Sequence, residues 1–503
     1  MPSNSPNEKI VVIGAGIGGL TAAALLAHHG YKVNVFDQAL VPGGCASTFK
    51  RRGFTFDVGA TQVAGLESGG IHHQILNQLG MPIPEASPCD PACAVFLPGE
   101  TDPIQVWRDQ AEWKAERERQ FPGSESFWRL LNRLFQVSWK FQARRPVLPP
   151  RSVWDFGQLV KAVRPETLTT LPYTFATVTD VLKHMGLDRD RRLKTFLDLQ
   201  LKLYSQVNAD ETALLYAATA LSVSQEPQGL YHLKGSMQVL SDLLEKSLYR
   251  DGGRLQMRHT VSQIQTDNRK VVGVKVQDLK SKQTWLEPAN YVVANVTVQN
   301  LVKLLKDDTL KGYRQRVDSL PPSNGAFVIY LGVNAEAIPL HCPPHLQFLY
   351  NYDGPIGENN SLFVSVSNPG DGRAPEGQAT IVASTFTDPQ LWWSTQCYEQ
   401  LKQDYTDGAI RRLSSYFDLS PENLIHVEAA TPRTFARFTA RHQGIVGGLG
   451  MRVSTFGPFG FANRTPIEGL WLVGDSTHPG EGTAGVSYSA QTVVDQILSA
   501  QFN

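Results

Sequence analysis

The feature that most constrains this chain is the run KIVVIGAGIGGLTAAALLAHHGYKVNVFD, Lys9 to Asp37. Ile10 to Ile13 has the unbroken apolar character of a parallel strand buried on both faces. Gly14, Gly16 and Gly19 then form GxGxxG. The first glycine allows a tight turn, the second lets a pyrophosphate reach the backbone, and the third lets the following helix lie against the strand. The helix start offers unpaired N–H groups and the positive end of its dipole to an anion. Gly30 stops that helix, a second strand covers Lys32 to Phe36, and Asp37 stands where a carboxylate accepts both ribose hydroxyls of an adenosine. A glycine turn without a ligand is the bland alternative, but the ordered series strand, glycines, helix, stop and acid predicts a dinucleotide site.

Pro42, Gly43 and Gly44 make a second tight passage, followed by Lys50, Arg51 and Arg52 and the strand-like GFTFDVG. Two glycine turns bracketing one acid favour FAD over NAD, because the flavin nucleotide is longer and is held along its ribityl chain as well as its adenosine. An ordinary hairpin with solvated cations is the other reading of this stretch. Near the C-terminus PIEGLWLVGD is a turn and buried strand ending at Gly474 and Asp475, and STHPGEGTAGVSYSA runs through more glycines into a last helix. Asp475 is placed for a ribityl hydroxyl or a pyrophosphate-bound water. The helix start near Ala484 to Val486 points its positive end at a flavin pyrimidine.

Between these motifs lie two excursions. From 71 to 225 the pattern is helical, with Trp107, Trp113, Phe121, Trp128, Phe135, Trp139 and Phe141 among arginines and lysines, reading as exposed aromatics. An amphipathic segment from Leu159 to Val163, with Arg144, Arg145 and Arg151, suits either a helix lying in a membrane interface or a helical cap. From 298 to 443, GAFVIYLGV, LFVSVS and ATIVASTF alternate as antiparallel strands, with a helix from Tyr398 to Tyr416. Trp392 and Trp393 read as pocket or core. The expected architecture is α/β: a discontinuous Rossmann-type FAD-binding domain (1–70, 226–297 and 444–503) and a mixed α+β substrate domain (71–225 and 298–443).

The chain of 503 residues balances 47 basic against 47 acidic side chains, which gives no electrostatic basis for nucleic-acid binding. MPSNSPNEK is too polar for a secretion signal, and no stretch holds the ~20 apolar residues of a membrane span. Five scattered cysteines argue against a disulfide framework; Cys89 and Cys93 read as structural, and no metal site is expected. A cytoplasmic protein associated peripherally with a membrane is the expectation.

VVIGAGIGGLTAAALLAHHGYKVNVFD, PGGCASTFKRRGFTFDVGA and WLVGDSTHPGEGTAGVSYSA together resemble the FAD-dependent carotenoid desaturase and isomerase family, with amine oxidases and protoporphyrinogen oxidases more distant. The resemblance extends over essentially the whole chain. It implies FAD contacts at Gly14, Gly16, Gly19, Asp37, Gly43, Gly44, Val261, Gly474 and Asp475, and the site is taken to include Ala15, Gly485 and Val486. Many members carry Glu where this chain has Asp37, and Arg or Ser where it has Cys45; Lys50 to Arg52 are candidate compensating cations. The motifs look most like C-3′,4′ desaturases of photosynthetic bacteria, with carotene cis–trans isomerases using reduced FAD next. A non-catalytic lipid carrier on this fold is the remaining reading. The resemblance implies an apolar polyene substrate. Absence of a second GxGxxG leaves quinone or oxygen as electron acceptor. His478 and Glu481 are the candidates for proton handling.

Overall fold

The computed structural model describes residues 8–305 and 310–500; most of the polar N-terminus discussed above lies outside them. Five parallel strands form the central sheet. They are β1 (Lys9–Ile13), β2 (Lys32–Asp37), β3 (Arg254–Met257), β4 (Tyr291–Ala294) and β5 (Leu470–Leu472), in the spatial order β3-β2-β1-β4-β5. This is the strand order of a doubly wound nucleotide fold. The glycine run becomes β1, the helix α1 (Ile17–His28) and β2, with Gly30 at φ +87° ending the helix. Alternation of side chains sorts β1 between two cores. Ile10 and Val12 pack with α1 and with the helix Gln238–Arg250, while Val11 and Ile13 face a second core holding Val298, Leu301 and the hairpin residues Ile264, Val274 and Val276. The C-terminal helix α2 (Thr483–Ser499) joins the first core through Ala490, Val493, Val494 and Ile497.

The sheet thus gathers strands from residues 9–37, 254–294 and 470–472. Sequence alone missed β3, an edge strand whose residues are exposed or half-buried and show no alternation.

A second, seven-stranded sheet runs in the spatial order Leu424–Ala430, Gly325–Asn334, Gln378–Thr387, Ser361–Val366, His345–Leu349, Cys93–Phe96, Ile104–Val106. All pairs are antiparallel except His345–Leu349 with Cys93–Phe96. Two of its strands come from the first excursion, so both excursions build one body. Trp392 is fully buried in its core and Trp393 is on the surface; neither lines the cavity described below.

The helical block corrects the expectation of exposed aromatics. Trp113, Phe121, Trp128 and Phe135 are all buried in one core, with Trp113 and Trp128 edge to face at 5.8 Å and Phe121 beside Phe196 at 5.1 Å. Their neighbouring cations cover the rings from outside, as Arg117 does over Trp128 at 5.1 Å. Cys89 and Cys93 are buried free thiols in the same core, and burial pushes the Cys89 thiol up to about 12. No helix among the described residues is long and apolar enough to cross a membrane.

One buried ion cluster ties the parts together. Arg373 lies between Asp57 and Asp371, 3.0 Å from each, and all three side chains are less than a tenth exposed. Asp57 ends the strand Phe54–Asp57 and also accepts the backbone N–H of Met237 at 2.8 Å, at the start of the helix Gln238–Arg250. Arg373 donates to the Leu233 carbonyl at 2.7 Å.

Candidate functional site

The glycine turns face each other across one end of a cavity of about 870 Å³. Gly14 turns the chain at φ +93°, and its N–H donates to the Phe36 carbonyl at 2.8 Å. Gly43, at φ +113°, donates to the Ala15 carbonyl at 2.8 Å, and a Cβ on Gly44 would stand 3.3 Å from Gly16 Cα. Only glycines let the two turns approach this closely. The helix start at Gly16 has no side-chain cap, and neither does that of α2 at Gly482. Two uncapped helix N-termini therefore border one cavity, the arrangement that holds anionic groups. At its edge, Asp37 Oδ2 accepts from Ala15 N and Oδ1 from Ala39 N, both at 2.7 Å. Burial raises this carboxyl, and the two N–H bonds oppose the rise. The paired turns, the uncapped termini and the acid fit the parts of a flavin dinucleotide.

Asn295, directly after β4, was not recognised in the sequence. Its Nδ2 donates to the Gly14 carbonyl at 3.4 Å, and a Cβ at Gly14, Gly16, Gly18, Gly19 or Gly474 would come within 3.1 Å of this residue. It is the floor on which the glycine loop rests. Arg441 is likewise invisible in sequence. It pairs with Asp475 at 2.7 Å and donates to the carbonyls of Ile445 (2.6 Å) and Gly447.

The cavity continues beyond these groups between apolar walls that include Leu203, Val223, Leu230, Phe363 and Phe386. Tyr216 also lines it, with its hydroxyl donated to the Tyr204 carbonyl at 2.5 Å. At the junction of the polar and apolar parts stands Glu481. Its Oε2 accepts from Gln206 Nε2 at 2.8 Å, while the buried Oε1 has no partner in the protein. Burial holds the Glu481 carboxyl well above the usual carboxylate range, and the neighbouring Asp475 adds to the rise. Gln206 reaches it from the left-handed C-cap of the helix Arg191–Ser205, at φ +67°. Gly447 makes room, since a Cβ there would overlap Glu481 Oε2 and the Gln206 amide.

The structure places Gly14, Gly16, Asp37, Gly43, Gly44, Val261, Asp475, Glu481, Gly485 and Val486 on the cavity wall. Ala15, Gly19 and Gly474 stand behind it. Ala15 bonds Asp37 and Gly43 through its backbone, and a Cβ on Gly19 would overlap the Gly14 carbonyl. His478 is also behind the wall. Its Nε2 is 2.8 Å from Gln142 Nε2, its ring packs on Phe456 and Tyr488, and burial lowers it to about 4, which keeps it neutral. Lys50, Arg51 and Arg52 do not compensate for Cys45. They are exposed on the hairpin Thr48–Arg51/Phe54–Asp57, where Arg51 meets Glu428 at 3.3 Å. Cys45 itself lines the cavity, and burial raises its thiol.

A family model described as flavin containing amine oxidoreductase matches residues 17–498. Among curated proteins, the chain is 30% identical to a chloroplastic prolycopene isomerase of Daucus carota, over 95% of this chain and 78% of that protein. It is 26% identical to a zeta-carotene-forming phytoene desaturase of Myxococcus xanthus, over 99% of this chain and 95% of that one. Among solved structures, an oxidoreductase of Methanosarcina mazei matches with a TM-score of 0.63 at 18% identity, covering 97% of this chain and 100% of the other, a likeness of fold.

Proposed function

The chain belongs to the flavin containing amine oxidoreductase family and is an FAD-dependent oxidoreductase, and on that premise we propose that it acts on a carotenoid polyene, whose double bonds it isomerises from cis to trans. The observation that carries this reading is continuity. One cavity runs from the two glycine turns past Glu481 into apolar walls, so a long apolar chain enters beside the flavin site without leaving a hydrophobic surround. Isomerisation takes precedence over C-3′,4′ desaturation because the prolycopene isomerase relative is the more similar of the two classes, at 30% against 26% identity. Desaturation is the second reading, favoured by the nearly full-length match to the bacterial desaturase. It would send two electrons on to a quinone or oxygen, whereas isomerisation needs no net oxidant.

The residues divide the work. We assign the pyrophosphate to Gly14, Gly16, Gly43, Gly44 and the start of α1, the ribose to Asp37, the adenine side to Val261, the ribityl chain to Asp475 oriented by Arg441, and the pyrimidine to Gly485, Val486 and the start of α2. When bound, the flavin supplies hydride exchange. The apolar walls exclude water and hold the polyene extended. Glu481 holds a proton at the junction: Gln206 occupies Oε2, which leaves the acid hydrogen to Oε1. His478 positions Gln142 rather than touching the ligand. We place the nucleotide domain at 1–70, 226–297 and 444–503 and the substrate domain at 71–225 and 298–443; the pairing of Cys93–Phe96 with His345–Leu349 supports joining the two excursions.

The test is expression in cells that accumulate a poly-cis carotene, with pigment compared with an empty-vector control by absorption, chromatography and mass. A trans product of unchanged mass supports the isomerase. A product lighter by two hydrogens makes the enzyme a desaturase, and unchanged pigment beside flavin-loaded protein removes the carotenoid reading.

A further inference from the structure

A buried line of polar side chains connects the main cavity to the ion cluster around Arg373. It starts at Thr61, which lines the cavity. Thr61 Oγ1 lies 2.6 Å from Ser365 Oγ, and Ser365 Oγ lies 3.0 Å from Nδ1 of His345, its partner across the paired strands Ser361–Val366 and His345–Leu349. The His345 ring stands 5.8 Å from that of His232, centroid to centroid. His232 Nε2 is in turn 2.9 Å from Asp371 Oδ2. Asp371 sits between exposed Gly370 and Gly372, so this end of the line reaches the surface. His345 is fully enclosed, and every other member is less than a tenth exposed.

The two rings are not bonded to each other. His232 Nδ1 and His345 Nε2 are buried, and neither has a hydrogen-bond partner among the described residues. The hydrogens on either side follow from the neighbours. Asp371 is an acceptor, and Arg373 Nη1, 2.9 Å from His232 Nε2, directs its two hydrogens to the Leu233 carbonyl at 2.7 Å and to Asp371 at 3.0 Å. His232 therefore carries its hydrogen on Nε2 and offers a lone pair at Nδ1. Burial, with His232 and Arg373 beside it, holds the His345 ring well below the ordinary imidazole range, so it is neutral and has one donor and one acceptor nitrogen. Unpartnered nitrogens on two adjoining buried rings are costly, and one water shared between them satisfies both.

We propose that His232 Nδ1 and His345 Nε2 bind a water molecule, and that the completed line from Thr61 through Ser365, His345, the water and His232 to Asp371 carries protons between the cavity and bulk solvent. Apolar walls that exclude water also separate the cavity from a proton source, and the chemistry a bound flavin supplies moves protons as well as electrons. Outward transfer is a series of single steps. Thr61 Oγ1 accepts a proton from the cavity and passes its own to Ser365, and Ser365 passes its own to His345 Nδ1. His345 Nε2 gives its hydrogen to the water, the water gives one to His232 Nδ1, and His232 Nε2 gives its hydrogen to Asp371, which yields it to bulk water. At each step one O–H or N–H bond forms and one breaks, and no electron leaves the line. Both rings finish in the other tautomer, set to carry the next proton inward.

The path does not depend on which polyene reaction the cavity performs, and its test uses the flavin alone. The flavin-loaded full chain is reduced anaerobically, freed of excess reductant, and mixed in a stopped-flow cell with ferricenium, a one-electron acceptor that takes no proton, in weak buffer containing phenol red. The wild type is expected to release its proton in step with the return of flavin absorbance. Ser365→Ala and Thr61→Val should each delay that release by roughly 10²-fold, within the range of a lost proton-transfer group, with flavin content and melting temperature unchanged. Thr61→Val keeps the shape of threonine and gives the answer if Ser365→Ala fails to load flavin. Ser365→Thr, which restores a hydroxyl, should release like the wild type. Release from Ser365→Ala or Thr61→Val as fast as from the wild type overturns the proposal, as does a wild type whose own release lags behind the flavin signal. Ser365→Thr as slow as Ser365→Ala overturns it in favour of packing. A crystal structure in which no water contacts both His232 Nδ1 and His345 Nε2 overturns it as well.

Discussion

Glu481 Oε2 lies 2.8 Å from the Gln206 amide nitrogen, and these two residues come from segments 275 positions apart. The contact exists because Gln206 adopts a left-handed conformation at a helix end and because residue 447 has no side chain. It fixes in place a carboxyl that burial holds well above the usual carboxylate range, where the polar and apolar parts of the cavity meet.

Replacing Glu481 with Gln keeps the size and one hydrogen bond but removes the acid proton. Turnover of the polyene should fall by about 10²–10⁴-fold, the range of a lost general acid or base. Flavin content by absorbance should be unchanged. Wild-type turnover should also fall as pH rises through the raised Glu481 value, because the active form is the protonated one. A variant that turns over like the wild type would remove Glu481 from the mechanism.

His72 and His478 are buried and lowered to about 4. The unfolded chain binds protons at these rings from about pH 6.5 down, and the folded chain does so only near pH 4. Stability is therefore intact above about pH 6.5 and is lost as pH falls from there toward 4, at up to about 1.4 kcal/mol per pH unit for each ring. Urea midpoints taken between pH 8 and pH 5 should fall, and the His72→Gln, His478→Gln variant should flatten that slope.

Arg373→Met leaves Asp57 and Asp371 buried without their cation. Breaking a buried pair from one side costs about 3–5 kcal/mol, so urea denaturation should show a loss of that size. Because Asp57 also holds the Met237 N–H, flavin retention should weaken with it.

Gly19→Ala puts a methyl group onto the Gly14 carbonyl. The glycine loop must shift, with a stability loss of about 2–4 kcal/mol and loss of bound flavin. Gly482→Ala, whose Cβ meets nothing within 4 Å but whose backbone (φ +84°, ψ 155°) is one that essentially only glycine adopts, should cost about 1–3 kcal/mol of backbone strain. Equal flavin loss in both variants would contradict the packing account.

The cradle was legible because each of its parts is local. Gly14, Gly16, Gly43 and Asp37 act through turn geometry that a few neighbouring residues encode. Asn295, Gln206 and Arg441 were not, because each acts across a gap of more than 30 residues, and no spacing rule announces an asparagine under a distant loop. The aromatics of the helical block misled for a related reason. Trp113 and Trp128 next to arginines look the same in sequence whether the arginine covers the ring or flanks a lipid-facing one. The true outward face, Val153 and Phe156, is set by the burial of Asp155 against Arg464. The edge strand Arg254–Met257 lacks an apolar face and so lacks a periodic signal.

The central sheet takes its last strand from residues 470–472, and the helix that closes the cavity begins at Thr483. During synthesis at ~5–20 residues per second, the nascent chain therefore spends roughly 10–35 s between completing Tyr291–Ala294 and reaching the strand that pairs with its free edge, Leu470–Leu472. Over that interval the apolar strand Tyr291–Ala294, already able to pair with Lys9–Ile13 on one side, has an open edge on the other. Flavin capture must follow release from the ribosome, so a truncation that removes only the last few dozen residues should yield an aggregating apoprotein rather than a shorter flavoprotein.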